Sequence, residues 1–121
     1  MQKEDITILI VGICASGKSS VVERLKELGF DAYTCAQEHS CVKSLWTKLA
    51  PDVLVVLDCD YETIKQRRKV QWGEERIKVQ KKRLQNALEN CDLYLKTDDL
   101  NLEETVREII KYLFTNGLIT K

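Results

Sequence analysis

Eight consecutive residues carry the clearest chemistry in this chain: Gly12-Ile13-Cys14-Ala15-Ser16-Gly17-Lys18-Ser19. The spacing G-x-x-x-x-G-K-S is that of a loop built to cradle phosphate groups. Its glycines let the backbone curl until several N–H groups point at one anion. Lys18 is placed to reach β- and γ-phosphates, and the Ser19 hydroxyl to ligate Mg²⁺. A helix that opens directly after the loop adds the positive end of its dipole.

The flanking residues supply the elements such a loop needs. Ile6-Thr7-Ile8-Leu9-Ile10-Val11 is β-branched and almost wholly apolar, which predicts a strand buried on both faces over about 6–11. Val21, Val22, Leu25 and Leu28 recur at helical spacing, and Gly29 stands where a helix stops, so a helix is expected over about 18–28. The alternation continues. Strands are expected at about 31–35, 53–57 and 92–96, and helices at about 39–49, 61–70, 74–90 and 102–115. Pro51 ends the second helix, and Asp60 is placed to cap the helix from Tyr61. Asn101 with Glu104 makes a variant capping box, and Asn116-Gly117 closes the last helix. That helix is expected to turn Leu102, Val106, Ile109, Ile110, Leu113 and Phe114 inward. Strand–helix alternation predicts a three-layer α/β/α fold with a four-stranded parallel sheet and right-handed crossovers.

The chain has 121 residues, 44% of them hydrophobic, which fits one domain over 1–121 with one core. Its formal net charge is zero, so bulk electrostatics do not point to nucleic acid or to anionic lipid. No run is long enough to span a membrane, and Met1 to Asp5 lead straight into the first strand without a signal peptide. Five cysteines, at 14, 35, 41, 59 and 91, form no C-x-x-C pair. They read as free thiols in a reducing cytoplasm. Cys35, His39 and Cys41 find no partners to complete a four-ligand zinc site.

A second constellation lies in a lid-like helical segment over about 61–90. Between 62 and 83 stand Lys65, Arg67, Arg68, Lys69, Arg76, Lys78, Lys81, Lys82 and Arg83, against three acids, Glu62, Glu74 and Glu75. Val70-Gln71-Trp72-Gly73 breaks the two helices like a hinge. Phosphoryl transfer uses mobile cations that neutralise charge on the transferred group while a lid excludes water. Arg67, Arg68 and Arg76 suit that role. Lys78, Lys81 and Lys82 read as a solvated helix face. Aromatic residues do not interleave with the charges as base stacking requires.

With the loop, the strand Val53-Leu-Val-Val-Leu57-Asp58-Cys-Asp60 leading to Arg67-Arg68, and the final Cys91-Asp92-Leu-Tyr-Leu-Lys-Thr97-Asp98, the chain resembles the small P-loop kinases. These are the nucleoside-monophosphate-kinase-like group, which includes shikimate, gluconate, adenylylsulfate and dephospho-coenzyme A kinases. The resemblance implies a phosphate cradle at Gly12, Ile13, Cys14, Ala15, Ser16, Gly17, Lys18 and Ser19, with Ser20 on the α-phosphate. It implies lid arginines among Arg67, Arg68 and Arg76, and a base bordered by Thr97 to Leu100.

Two departures stand out. The family has five parallel strands where four are expected here. Only residues 36–52 fill the interval in which the family carries its acceptor-binding insertion and an acidic strand end. The acidic role then falls on Asp58 or Asp60, with Asp31 a weaker candidate, and Asp60 is equally suited to plain helix capping. His39 is the sole histidine and fits a surface or cap position better than a general base. Two functions follow. One is an ATP- and Mg²⁺-dependent phosphotransferase acting on a small molecule. The other is a catalytically reduced ATP- or GTP-binding module that serves a partner. No guanine-reading Asn-Lys-x-Asp occurs. The short sheet leaves edges that a second copy of the chain could cover.

Overall fold

Ile6 to Val11 can be apolar on both faces only if the strand is covered twice, and it is. In a computed structural model, which describes residues 6–13, 16–35, 37, 45–67 and 73–118, β1 (Thr7–Gly12) lies inside a parallel sheet. Its neighbours are β2 (Asp31–Thr34) and β3 (Val53–Asp58), and β4 (Leu93–Lys96) pairs with β3. The order is therefore β2-β1-β3-β4. Ile8, Ile10, Val55 and Leu57 face a layer made by α1 (Lys18–Glu27) and α4 (Leu102–Thr115), meeting Val21, Leu25, Ile109 and Leu113. Leu9, Val11, Leu54 and Val56 face the opposite layer, α2 (Tyr61–Arg67) and α3 (Glu74–Asn90), meeting Ile64, Ile77, Leu84 and Ala87. The period-2 alternation of strand side chains thus divides the core between two helical layers.

Short polar clasps fix the register at the strand starts. The Thr7 N–H and hydroxyl both donate to Asp52 Oδ2, at 2.9 and 3.0 Å. The Leu54 N–H donates to Asp92 Oδ2 at 2.7 Å, and the Asp92 N–H returns to the Leu54 carbonyl at 2.8 Å. At the start of α4 the capping box is complete. Glu104 N–H donates to Asn101 Oδ1 at 2.8 Å, and Asn101 N–H donates to Glu104 Oε1 at 3.0 Å.

Three sequence expectations need correction or limits. In α4, Leu102 and Phe114 are not inner-face residues: they are 39% and 54% exposed. The stripe facing the sheet is Val106, Ile109 and Leu113. Leu102 sits on the first turn beyond it, and Phe114 is rotated one residue past it. Within the expected helix over 39–49, residues 45–49 form a 3-10 helix, and 39–44 lie outside the described residues. The helix expected over 61–70 is α2 as far as Arg67, and 68–70 also lie outside them. No helix among the described residues is long and apolar enough to cross a membrane.

Candidate functional site

The C-terminal end of β1 delivers the chain into the loop, and there two glycines have different duties. A Cβ on Gly12 would sit 2.5 Å from the Leu57 carbonyl oxygen and 2.7 Å from Ser16 Oγ. No side chain fits between the loop and β3. Gly17 instead takes φ +94°, a left-handed conformation that disfavours a side chain, and it is the N-cap of α1. The turn between them is closed by Ser16 N–H to the Ile13 carbonyl at 3.2 Å. Ile13 and Ser16 are buried, Lys18 is half-buried, and Ser19 and Ser20 are exposed on the first turn of α1. Cys14 and Ala15 lie outside the described residues.

The start of α1 is electrostatically open to an anion. Its first turn holds no acidic side chain, while Arg24 and Lys26 stand in its last turn. The first N–H groups of a helix have no intrahelical partner, and the dipole adds partial positive charge to them. Beside this turn is a cavity of about 250 Å³ with Ser16, Ser20, Arg67, Thr97, Asn101 and Thr105 in its wall. The structure thus brings the loop, the end of α2 and the β4–α4 connection to one place.

Arg67 is the last residue of α2, and its guanidinium forks onto Thr97. Nη1 donates to Thr97 Oγ1 at 3.1 Å and Nη2 to the Thr97 carbonyl. Thr97 is 2% exposed, and its hydroxyl donates to the Ser16 carbonyl at 3.0 Å. Arg76 is exposed on the first turn of α3 and is not part of the cavity wall. Arg68 lies outside the described residues, as do His39 and Cys41. Lys78, Lys81 and Lys82 are exposed along α3, with Lys78 3.8 Å from Glu75 and Lys81 3.9 Å from Asp58.

The acids at the end of β3 are already engaged. Asp58 Oδ2 accepts from the Tyr94 hydroxyl at 2.7 Å, and Oδ1 accepts from the Cys59 N–H at 2.9 Å. Burial, then the hydrogen bond to Asp58, pushes the Tyr94 hydroxyl well above the usual phenol range, so it stays a donor. Asp60 pairs with Lys96 at 3.0 Å, and its N–H donates to Asp98 Oδ1 at 2.8 Å. Burial alone would raise the Asp98 carboxyl. The Thr63 hydroxyl, the Asp60 N–H and Lys96 outweigh it and hold it below the ordinary value. Among the described residues no three His, Cys, Asp or Glu side chains converge as a metal site. Asp31 opens β2, at the opposite end of the sheet from the loop.

Sequence reasoning gives Tyr94 no role and gives Thr97 and Asp98 only a place beside the base; the bond of Tyr94 to Asp58, the hold of Asp98 on Asp60 and Thr63 and the grip of Thr97 on Ser16 are not read from it. The visible signal for them was Thr97-Asp98 directly after a strand, two residues with short polar side chains that bond readily to nearby backbone. Gln37 was also missed. It is fully buried, donates to the Arg83 carbonyl at 3.2 Å and accepts from the Trp46 N–H at 3.0 Å.

No protein-family model and no curated protein matches the chain. Among solved structures, the chain is similar to the shikimate kinase of Aquifex aeolicus vf5. The TM-score is 0.63 at 17% identity, over 95% of this chain and 100% of that one. With the four-stranded parallel sheet between two helical layers, this likeness establishes the fold as that of the P-loop kinases.

Proposed function

We propose that the chain binds a nucleoside triphosphate with Mg²⁺ and transfers its terminal phosphoryl group to a small molecule. The observation that carries this reading is the loop. One glycine admits no side chain, the other is left-handed, and Lys18 and Ser19 open a helix without acids beside a cavity. In this reading Lys18 lies along the β- and γ-phosphates and Ser19 holds Mg²⁺. Bound Mg²⁺ held at Ser19 would supply charge neutralisation on the phosphate oxygens during transfer. Asp58 or Asp60 would serve as the assisting acid while also holding Tyr94 or Lys96, since a carboxylate has acceptor sites to spare. Arg67 lies in the cavity wall beside the loop and is the better placed of the lid arginines, whereas Arg76 is outside that wall.

A second reading is favoured by one particular feature. Where the family carries its acceptor-binding region, Gln37 and Trp46 are tied to α3, with Trp46 Nε1 donating to Asn86 Oδ1 at 2.8 Å. Such a chain suits a nucleotide-binding module that transfers nothing and acts through a partner.

Calorimetric titration with MgATP and MgGTP, together with ATP consumption across small hydroxyl and carboxyl acceptors, separates the two. The kinase reading expects turnover on at least one acceptor. Tight binding with no turnover on any acceptor supports the module. Lys18→Ala should weaken MgATP binding by at least about tenfold, as loss of a charged phosphate contact does. Unchanged affinity in that variant removes the loop from the function.

A further inference from the structure

We infer that Thr97 and Arg67 form a latch that aims the Gly17 N–H of the phosphate loop. They act as positioning residues for the donor rather than as groups that touch it. This rests on the proposed reading of the loop as the nucleotide site. Three chain segments meet at one buried hydroxyl. Thr97 Oγ1 donates to the Ser16 carbonyl at 3.0 Å and accepts from Arg67 Nη1 at 3.1 Å. The Thr97 N–H holds the Asp58 carbonyl at 2.7 Å, anchoring Thr97 itself to the end of β3.

A hydroxyl has one proton to give. Two carbonyls compete for it, Ser16 at 3.0 Å and Asp58 at 3.3 Å. The Ser16 carbonyl is the nearer of the two, and the Asp58 carbonyl is already supplied by the Thr97 N–H, so Ser16 is the favoured acceptor. That leaves Thr97 no proton for a ligand. Arg67 approaches the oxygen as a charged donor, which polarises the O–H bond and strengthens its donation.

The Ser16 carbonyl and the Gly17 N–H belong to the same peptide unit. The unit is planar and trans, so its N–H points opposite to its C=O. Gripping the carbonyl from the β3–β4 side therefore turns the Gly17 N–H toward the other side, into the loop. Gly17, with no Cβ and φ +94°, has little of its own to resist rotation of that plane. Without the latch, one amide of the cradle loses its direction.

The test compares Thr97→Val, Thr97→Ser and Arg67→Gln by calorimetric titration with two probes, MgATP and magnesium tripolyphosphate. The second has phosphates but no nucleoside. Thr97→Val should weaken both probes by the same factor, about three- to tenfold, the worth of one lost buried hydrogen bond. Thr97→Ser keeps the hydroxyl and should stay within about twofold of the parent, and the urea midpoint of each variant reports folding separately. Arg67→Gln should also weaken both probes alike, and adding it to Thr97→Val should cost little more, since the two act as one unit. Unchanged affinities in Thr97→Val overturn the latch. So does an Arg67→Gln variant that loses ATP but keeps tripolyphosphate, because Arg67 then acts on the nucleoside. If the parent chain binds neither probe, the nucleotide reading fails on its own. The latch is then decided by the ¹⁵N order parameter of the Gly17 amide, which falls in Thr97→Val if the grip is real and stays constant if it is not.

Discussion

Replacing Gly12 by alanine tests whether the loop is pressed against β3 as tightly as the structure describes. The added Cβ meets the Leu57 carbonyl oxygen at 2.5 Å, where real contacts stay beyond 3.0 Å. Relief requires a displacement of at least about half an ångström, and neither side yields easily. Leu57 is fully buried and stands opposite Gly12 in the β1–β3 ladder, and Ser16 Oγ, the second obstacle at 2.7 Å, is buried as well. Overpacking of a close-packed interior costs about 1–3 kcal/mol, and the backbone position of the obstacle puts Gly12→Ala at the upper end, about 2–3 kcal/mol. With a urea slope of roughly 1–3 kcal/mol per molar, the midpoint should fall by about 1 M. Gly17→Ala is the internal comparison. Its Cβ meets nothing within 4 Å, so its cost is the left-handed backbone alone, about 1 kcal/mol. Gly17→Asn should cost less still, because asparagine tolerates that conformation. Equilibrium urea unfolding of the three variants checks the order. A Gly12→Ala chain within about 0.5 kcal/mol of the parent, or one more stable than Gly17→Ala, refutes the packing argument.

Asn101→Ala removes the side-chain half of the α4 capping box and should destabilise the fold by about 1 kcal/mol, measured by urea unfolding. An effect near zero would mean that the first turn of α4 frays without consequence. Asp98 gives a pH dependence. Its folded carboxyl titrates below the ordinary value of 3.8, so its stabilisation is present above that pH and is lost as pH falls through the lower, folded value. Unfolding free energies measured from pH 5.5 down to about 2.5 should show a shallower acid decline in Asp98→Asn than in the parent. Parallel pH curves would place the acid sensitivity elsewhere.

Much of the architecture was legible because it is written locally. The uninterrupted apolar run before Gly12, the spacing of Val21, Val22 and Leu25, and the Asn101–Glu104 pair each specify an element without reference to the rest of the chain. Strand order was not legible. Nothing in Val53–Leu57 says on which side of β1 it will lie, since that is decided by which helices cross over. The inner face of α4 is shorter than its apolar period: Val106, Ile109 and Leu113 are buried and Ile110 packs beside them, while Leu102 and Phe114, at the two ends, are exposed. The partners of the site residues were hidden as well. Arg67 and Thr97 are 30 residues apart, Thr97 and Ser16 81 apart, and no periodicity links them.

The all-parallel pairing also governs how the chain must fold. A hairpin would bring two strands together across a few residues, and this sheet has none. The nearest tie between β1 and β2, Thr34 to Ile10, spans 24 residues. The clasp between β1 and β3, Thr7 to Asp52, spans 45, and that between β3 and β4, Leu54 to Asp92, spans 38. Every strand pair must close a long loop before its first hydrogen bond repays the lost chain entropy. The shortest closure is the β1–α1–β2 unit, which already contains the phosphate loop. The segment that carries the glycine loop thus has the lowest closure cost in the sheet, and the contacts that set the loop against Leu57 and Thr97 come only with β3 and β4.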